Sequence, residues 1–153
     1  MSFRRILVAL DSDSSSSSAL AYAASLAKEL GAELLVLHVW AAPAHTLGTR
    51  ALISGEELLG SSLEGAQRDL EARLEQARAI VPGVRGVLRR GEAAAELLAE
   101  IAAAEPDLVV MGSHGRGGIS RAVLGSVAAE IVRASPVPVL IVGPGHTPPK
   151  PAA

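Results

Sequence analysis

The sequence contains no cysteine, which excludes disulfides, thiolate nucleophiles and thiolate metal sites and suits a reducing compartment. Aromatics are almost missing: Phe3, Tyr22 and Trp40 are the whole set, leaving little to stack on a flavin ring. Positive charge is not in excess. With 14 Lys and Arg against 16 Asp and Glu the formal net charge is −2, whereas non-specific nucleic-acid binding needs a basic surface to displace phosphate counterions. No apolar run approaches the roughly 20 residues of a membrane helix. The opening stretch MSFRRILVAL meets Asp11 too soon for a signal-peptide core. These absences lead us to expect a cytoplasmic protein with neither a nucleic-acid nor a membrane partner.

What is present is apolar and periodic. Hydrophobic residues make up 49% of 153 residues, enough for one domain with a substantial core. Short branched-apolar segments mark five strands, at Arg4–Leu10, Ala32–Trp40, Gly83–Arg90, Asp107–Gly112 and Val137–Gly143. Between them run helical patterns. Leu20, Ala23, Ala27 and Leu30 form the first, stopped by Gly31. Leu59, Leu63, Ala66, Leu70, Leu74 and Ala77 form the second, within Glu56–Ile80 and closed by Pro82. Ala94, Leu97, Leu98 and Ile101 form the third, and Leu124, Val127, Ala128 and Ile131 the fourth.

Alternating strands and helices predict a doubly wound α/β fold: an open five-stranded parallel sheet with helices on both faces. The third strand carries Arg85, Arg89 and Arg90 and the fifth contains Pro138, so both suit edges. Keeping sequence neighbours adjacent then gives the order 3-2-1-4-5, ahead of 2-1-3-4-5, which would put the very apolar second strand at an edge. Direction reverses between strands 1 and 4, where open α/β sheets bind ligands beyond the strands' carboxyl ends. The domain is expected over residues 1–143, and the proline-rich residues 144–153 as a disordered tail. Ala41–Gly55 is long for a loop in a compact domain and reads as a lid or a variable surface loop.

The segment at the end of strand 4, GSHGRGGISRAVLGS (Gly112–Ser126), fits neither common phosphate-loop pattern. Gly112 and Gly117 have P-loop spacing, but Gly118 and Ile119 replace the lysine and hydroxyl. Gly115 and Gly117 begin a GxGxxG, but Ser120 replaces its third glycine. Such glycines let backbone N–H groups approach an anion, and a helix N-terminus after them adds favourable partial charge. They equally permit plain tight packing.

A third spacing is more specific. Gly112-x2-Gly115-x9-Gly125-Ser126 matches the G-x2-G-x9-G-[ST] motif of the universal stress protein family, ATP-binding branch, and the chain resembles that family from about Phe3 to Gly143. ILVALD, LLVLHV, GEAAAELL, DLVVMGSHGRGG and SPVPVLIV carry the resemblance. It implies an ATP site in which Ala9, Asp11 and Val39 hold the nucleoside. Met111, Gly112, Gly115, Gly125, Ser126 and Val127 would surround the ribose and phosphates, with His114 and Arg116 adding phosphate contacts. Mg or Mn would be carried mainly by the phosphates, and AMP or a cyclic nucleotide stays open as the ligand.

The implied function is a nucleotide-dependent regulatory module in the stress response, acting as a homodimer paired through the apolar edge strand Val137–Gly143. Two alternatives accompany it: a slow ATP hydrolase, and a nucleotide-free stress protein acting through protein contacts. Against turnover, the loop has no lysine to offset developing phosphate charge. Asp11-Ser12-Asp13 departs from the family's usual D-G-S. Asp13 is a candidate metal ligand through water and equally a helix N-cap. His38 reads as a core histidine, and His45 and His146 have no carboxylate at metal-site spacing. Ser113-His114 is no catalytic pair, because chain neighbours do not face each other as nucleophile and base. Ser14–Ser18 reads as a helix start.

Overall fold

The structure is a computed structural model and describes residues 1–10, 14–41, 55–113 and 124–151, of which 14–16 and 55–62 are described by their backbone. Nine elements follow one another: β1 (Arg5–Leu10), α1 (Ser14–Leu30), β2 (Glu33–Trp40), α2 (Gly55–Arg78), β3 (Arg85–Arg90), α3 (Ala93–Ala104), β4 (Leu108–Gly112), α4 (Ser126–Ala134) and β5 (Val139–Val142). All strand pairs are parallel, in the order β3-β2-β1-β4-β5. This is the doubly wound α/β sheet and the strand order expected above.

Each central strand is apolar on both sides because both sides are covered. One face buries Ile6, Val8, Leu10, Leu34, Val36, Leu108 and Val110 against Ala19, Ala23 and Ala27 of α1 and Leu70, Leu74 and Ala77 of α2. The other face buries Leu7, Leu35, Leu37, Val109 and Met111 against Ala94, Leu97 and Ile101 of α3 and Ala128 and Ile131 of α4. Small alanines of α1 cover the centre of this face, and leucines of α2 cover it towards β3. Gly86 shows how tight that edge is: a Cβ there would come within 2.6 Å of the Leu74 side chain.

The element ends follow their capping chemistry. Gly31 takes φ +65° after α1, as its position as a helix stop required. Glu105 ends α3 in the left-handed region at φ 49°, ψ 56°, its N–H donating to the Ile101 carbonyl. β5 begins at Val139 rather than Val137, because Pro138 has no N–H to give a ladder; its carbonyl still accepts from the Val109 N–H at 3.0 Å. β3 begins at Arg85, two residues later than expected, since Val84 N–H closes a turn onto the Val81 carbonyl. Leu124, counted above in the fourth helical pattern, precedes α4 and is exposed, and Leu63 is exposed on α2. Residues 144–151 contain no helix or strand.

The amino-terminal edge of the sheet is stitched by charge. One carboxylate oxygen of Asp107 accepts from the N–H groups of Arg4 and Arg5 at 2.6 and 2.8 Å. Those two bonds hold its carboxyl below the usual range. Arg5 in turn donates to Glu33 at 2.9 Å and to the Ala104 carbonyl. The opposite, carboxyl-terminal edge holds the candidate site.

Candidate nucleotide-binding site

At the carboxyl ends of β1, β2 and β4 the side chains alternate, so Ala9, Val39 and Met111 all point to the face covered by α3 and α4. Met111 is part of that apolar cluster, and Ala9 and Val39 pack against it while staying partly open. Ala9 and Met111 are direct partners across the β1–β4 pair. Val127, in the first turn of α4, packs on the same cluster. Four residues chosen from 9 to 127 in the sequence therefore share one apolar floor.

Beside that floor the chain brings the two ends of the glycine segment together. The Ser113 N–H donates to the Val142 carbonyl at 3.1 Å, prolonging the β4–β5 ladder just past Gly112. The Gly125 N–H then donates to the Ser113 carbonyl at 2.8 Å. Gly112 and Gly125-Ser126 thus lie side by side although more than ten residues separate them. Asp11, His114, Gly115 and Arg116, and the candidate metal ligand Asp13, lie outside the described residues. No cluster of three metal-ligating side chains occurs among the described residues.

Of the helices that start at this edge, α3 and α4 differ electrostatically in their first turns. In α3 the carboxylate of Glu92 caps the first turn, accepting from the N–H groups of Ala94 and Ala95 at 3.1 and 2.8 Å. In α4 Gly125 occupies the cap position with no side-chain bond to the first turn. The first bond within that helix runs from the Ala129 N–H to the Gly125 carbonyl. The N–H groups of Ser126, Val127 and Ala128 precede it and have no partner of this kind. With the partial positive charge of the helix end, they make α4 the anion-favouring end of the crevice.

At the far side, next to Val39, the structure shows a cluster that sequence reasoning had treated only as an edge-strand signature. Arg89 of β3 is the ladder partner of Val39. Its Nε donates to Glu100 at 2.6 Å and its Nη1 to Glu96 at 3.3 Å. Glu100 is buried at 7% exposure. Its hydrogen bond, and then that of Glu96, holds the guanidinium charged above its usual range against the opposing cost of burial. The signal was available: two glutamates four apart on the helix that follows an arginine-bearing strand. Arg90 stands 5.6 Å over the Trp40 ring beside it. His38 is buried and has an interaction partner, in line with a core histidine.

Comparison with known proteins agrees with this architecture. The profile of the universal stress protein family matches residues 2–143. A universal stress protein encoded in the QAH/OAS sulfhydrylase 3′ region of Thermus aquaticus is 34% identical over 141 residues, covering 92% of this chain and 98% of that one. Among solved structures, the universal stress protein UspA from Lactobacillus plantarum superimposes with a TM-score of 0.79 at 23% identity, covering 93% of this chain and 99% of that one. A universal stress protein in complex with cAMP superimposes with a TM-score of 0.68 at 22% identity, covering 94% and 98%. The chain belongs to the universal stress protein family.

Proposed function

We propose that this chain is an adenine-nucleotide-binding regulatory module, that its ligand is ATP with Mg or Mn carried by the phosphates, and that it works as a homodimer. The observation that carries the reading is the convergence at one sheet edge. Ala9, Val39, Met111 and Val127 form a partly open apolar floor, and the Gly125–Ser113 bond sets the uncapped start of α4 beside it. An apolar floor suits a base, and N–H groups without an intrahelical partner at a helix end suit phosphate. The floor and the helix end are adjacent, as a nucleotide's two halves are. A structurally similar protein holding cAMP supports an adenine nucleotide as the ligand class. The spacing of Gly112, Gly115, Gly125 and Ser126 supports ATP within that class.

The dimer reading has its own support. β5 ends the sheet, so one side of its backbone has no strand beside it among the described residues, and Val139, Leu140 and Ile141 are only partly buried. An apolar edge of this kind is a template for a further strand. The experiment that tests the nucleotide reading is to denature the purified protein and identify any released nucleotide. ATP at near one per chain supports it. Protein that emerges empty and takes up no adenine nucleotide when titrated points instead to a stress protein acting only through protein contacts.

A further inference from the structure

The proposed site accounts for Val39 but leaves its neighbour unexplained. Arg89 projects from the same face of the sheet, as its bonds to Glu96 and Glu100 of α3 demand. It is an unusual arginine in two respects. One guanidinium is faced by two carboxylates, one of them buried, so the cluster is net negative and disfavours phosphate. Its side chain keeps 28% exposure. The bonds from Nε and Nη1 fix the plane of the group, and among the described residues its remaining N–H donors have no partner. A flat cation is therefore held rigid, partly open, next to the apolar floor and at the opposite end from the uncapped start of α4.

We infer that Arg89 is a base-recognition residue: pinned at one edge by Glu100 and Glu96, its guanidinium forms a wall beside Val39 against which the purine ring of a bound nucleotide packs. This rests on the nucleotide-binding reading above and adds direction to it. Negative charge at the β3 side turns the phosphates towards α4 and leaves the base at Val39 and Arg89. A guanidinium stacks well on an aromatic face, and holding it in place beforehand removes the entropy cost of ordering a long side chain. In this site Glu96 and Glu100 are positioning residues and Arg89 the one that touches ligand.

The test is calorimetric titration of the full chain with Mg-ATP and, separately, with inorganic tripolyphosphate, for the parent protein and for Arg89→Leu, Arg89→Lys and Glu100→Gln. Arg89→Lys keeps the charge opposite the two carboxylates but loses the planar group, so it separates stacking from a merely structural ion pair. Arg89→Leu and Arg89→Lys should both weaken ATP roughly tenfold and leave tripolyphosphate binding as in the parent. Glu100→Gln, which loosens the pin, should fall between. If Arg89→Lys binds ATP as well as the parent does, the wall is refuted while the nucleotide reading stands. If tripolyphosphate weakens in step with ATP, Arg89 acts on the phosphate end or on the fold, and the inference is equally overturned. If the parent protein binds neither probe, the nucleotide reading itself fails and takes this inference with it.

Discussion

Single residues at the closed edge of the sheet have effects with a defined sign. Asp107 immediately precedes β4 and gathers the N–H groups of Arg4 and Arg5 onto one oxygen. Its carboxyl lies below the usual range because those bonds favour the ionised form, so it contributes stability above the unfolded-state value and loses that contribution as pH falls through the lower folded value. Thermal melts of Asp107→Asn and the parent should differ at neutral pH, and the gap should narrow below about pH 4. A gap that is the same at all pH values would show that the charge plays no part. Glu105 is a different case. It is held at φ 49° at the end of α3 without being glycine. Glu105→Gly should raise stability by about 1 kcal/mol, read as a higher denaturant midpoint with an unchanged slope.

At the scale of elements, α4 carries the account. Its start follows Gly125, has no side-chain cap, and is the place where phosphate is expected. Ser126 is its first residue and is exposed. A carboxylate there is favourable to the helix and hostile to a phosphate at the same point. Ser126→Glu should therefore melt at or above the parent temperature while losing ATP affinity, two readouts that a general loss of folding would move together. Retained affinity in a folded Ser126→Glu protein would remove α4 from the site.

Element positions were largely legible in the sequence, and the reasons are particular. β1, β2 and β4 are continuous apolar runs because both faces of the sheet are covered, and the arginines of β3 and Pro138 of β5 marked the edges. Boundaries were less legible where a turn or a missing N–H decides them, as at Val84 and Pro138. Leu124 fitted a helical spacing but lies before α4, because spacing does not say where a helix begins. Within the site, the shared face of Ala9, Val39 and Met111 follows from strand alternation once the order is known. The Arg89–Glu96–Glu100 cluster left a weaker trace: two glutamates four apart follow an arginine-bearing strand, but which arginine they meet depends on side-chain reach.

On the scale of the whole molecule, the two edges of the sheet do different work. The edge carrying Asp107, Arg5 and Glu33 ties strands and α3 together, while the carboxyl-terminal edge holds an apolar floor between an anion-favouring helix end and a net-negative cluster. The sides of the sheet differ too. β3 is charged, with Arg85 and Arg90 exposed, whereas β5 is apolar and, among the described residues, has a strand on its β4 side alone. Light scattering coupled to size exclusion should report a dimer for the parent protein and a monomer for Leu140→Lys, which sets like charges against each other if β5 pairs with its own copy. A parent protein that runs as a monomer at micromolar concentration would contradict that pairing.

The central claim is that the floor of Ala9, Val39, Met111 and Val127 and the start of α4 together bind an adenine nucleotide. The most direct measurement is calorimetric titration of nucleotide-free, folded protein with Mg-ATP. The account predicts saturable binding at one site per chain. A flat titration, with the fold confirmed by circular dichroism, would contradict it.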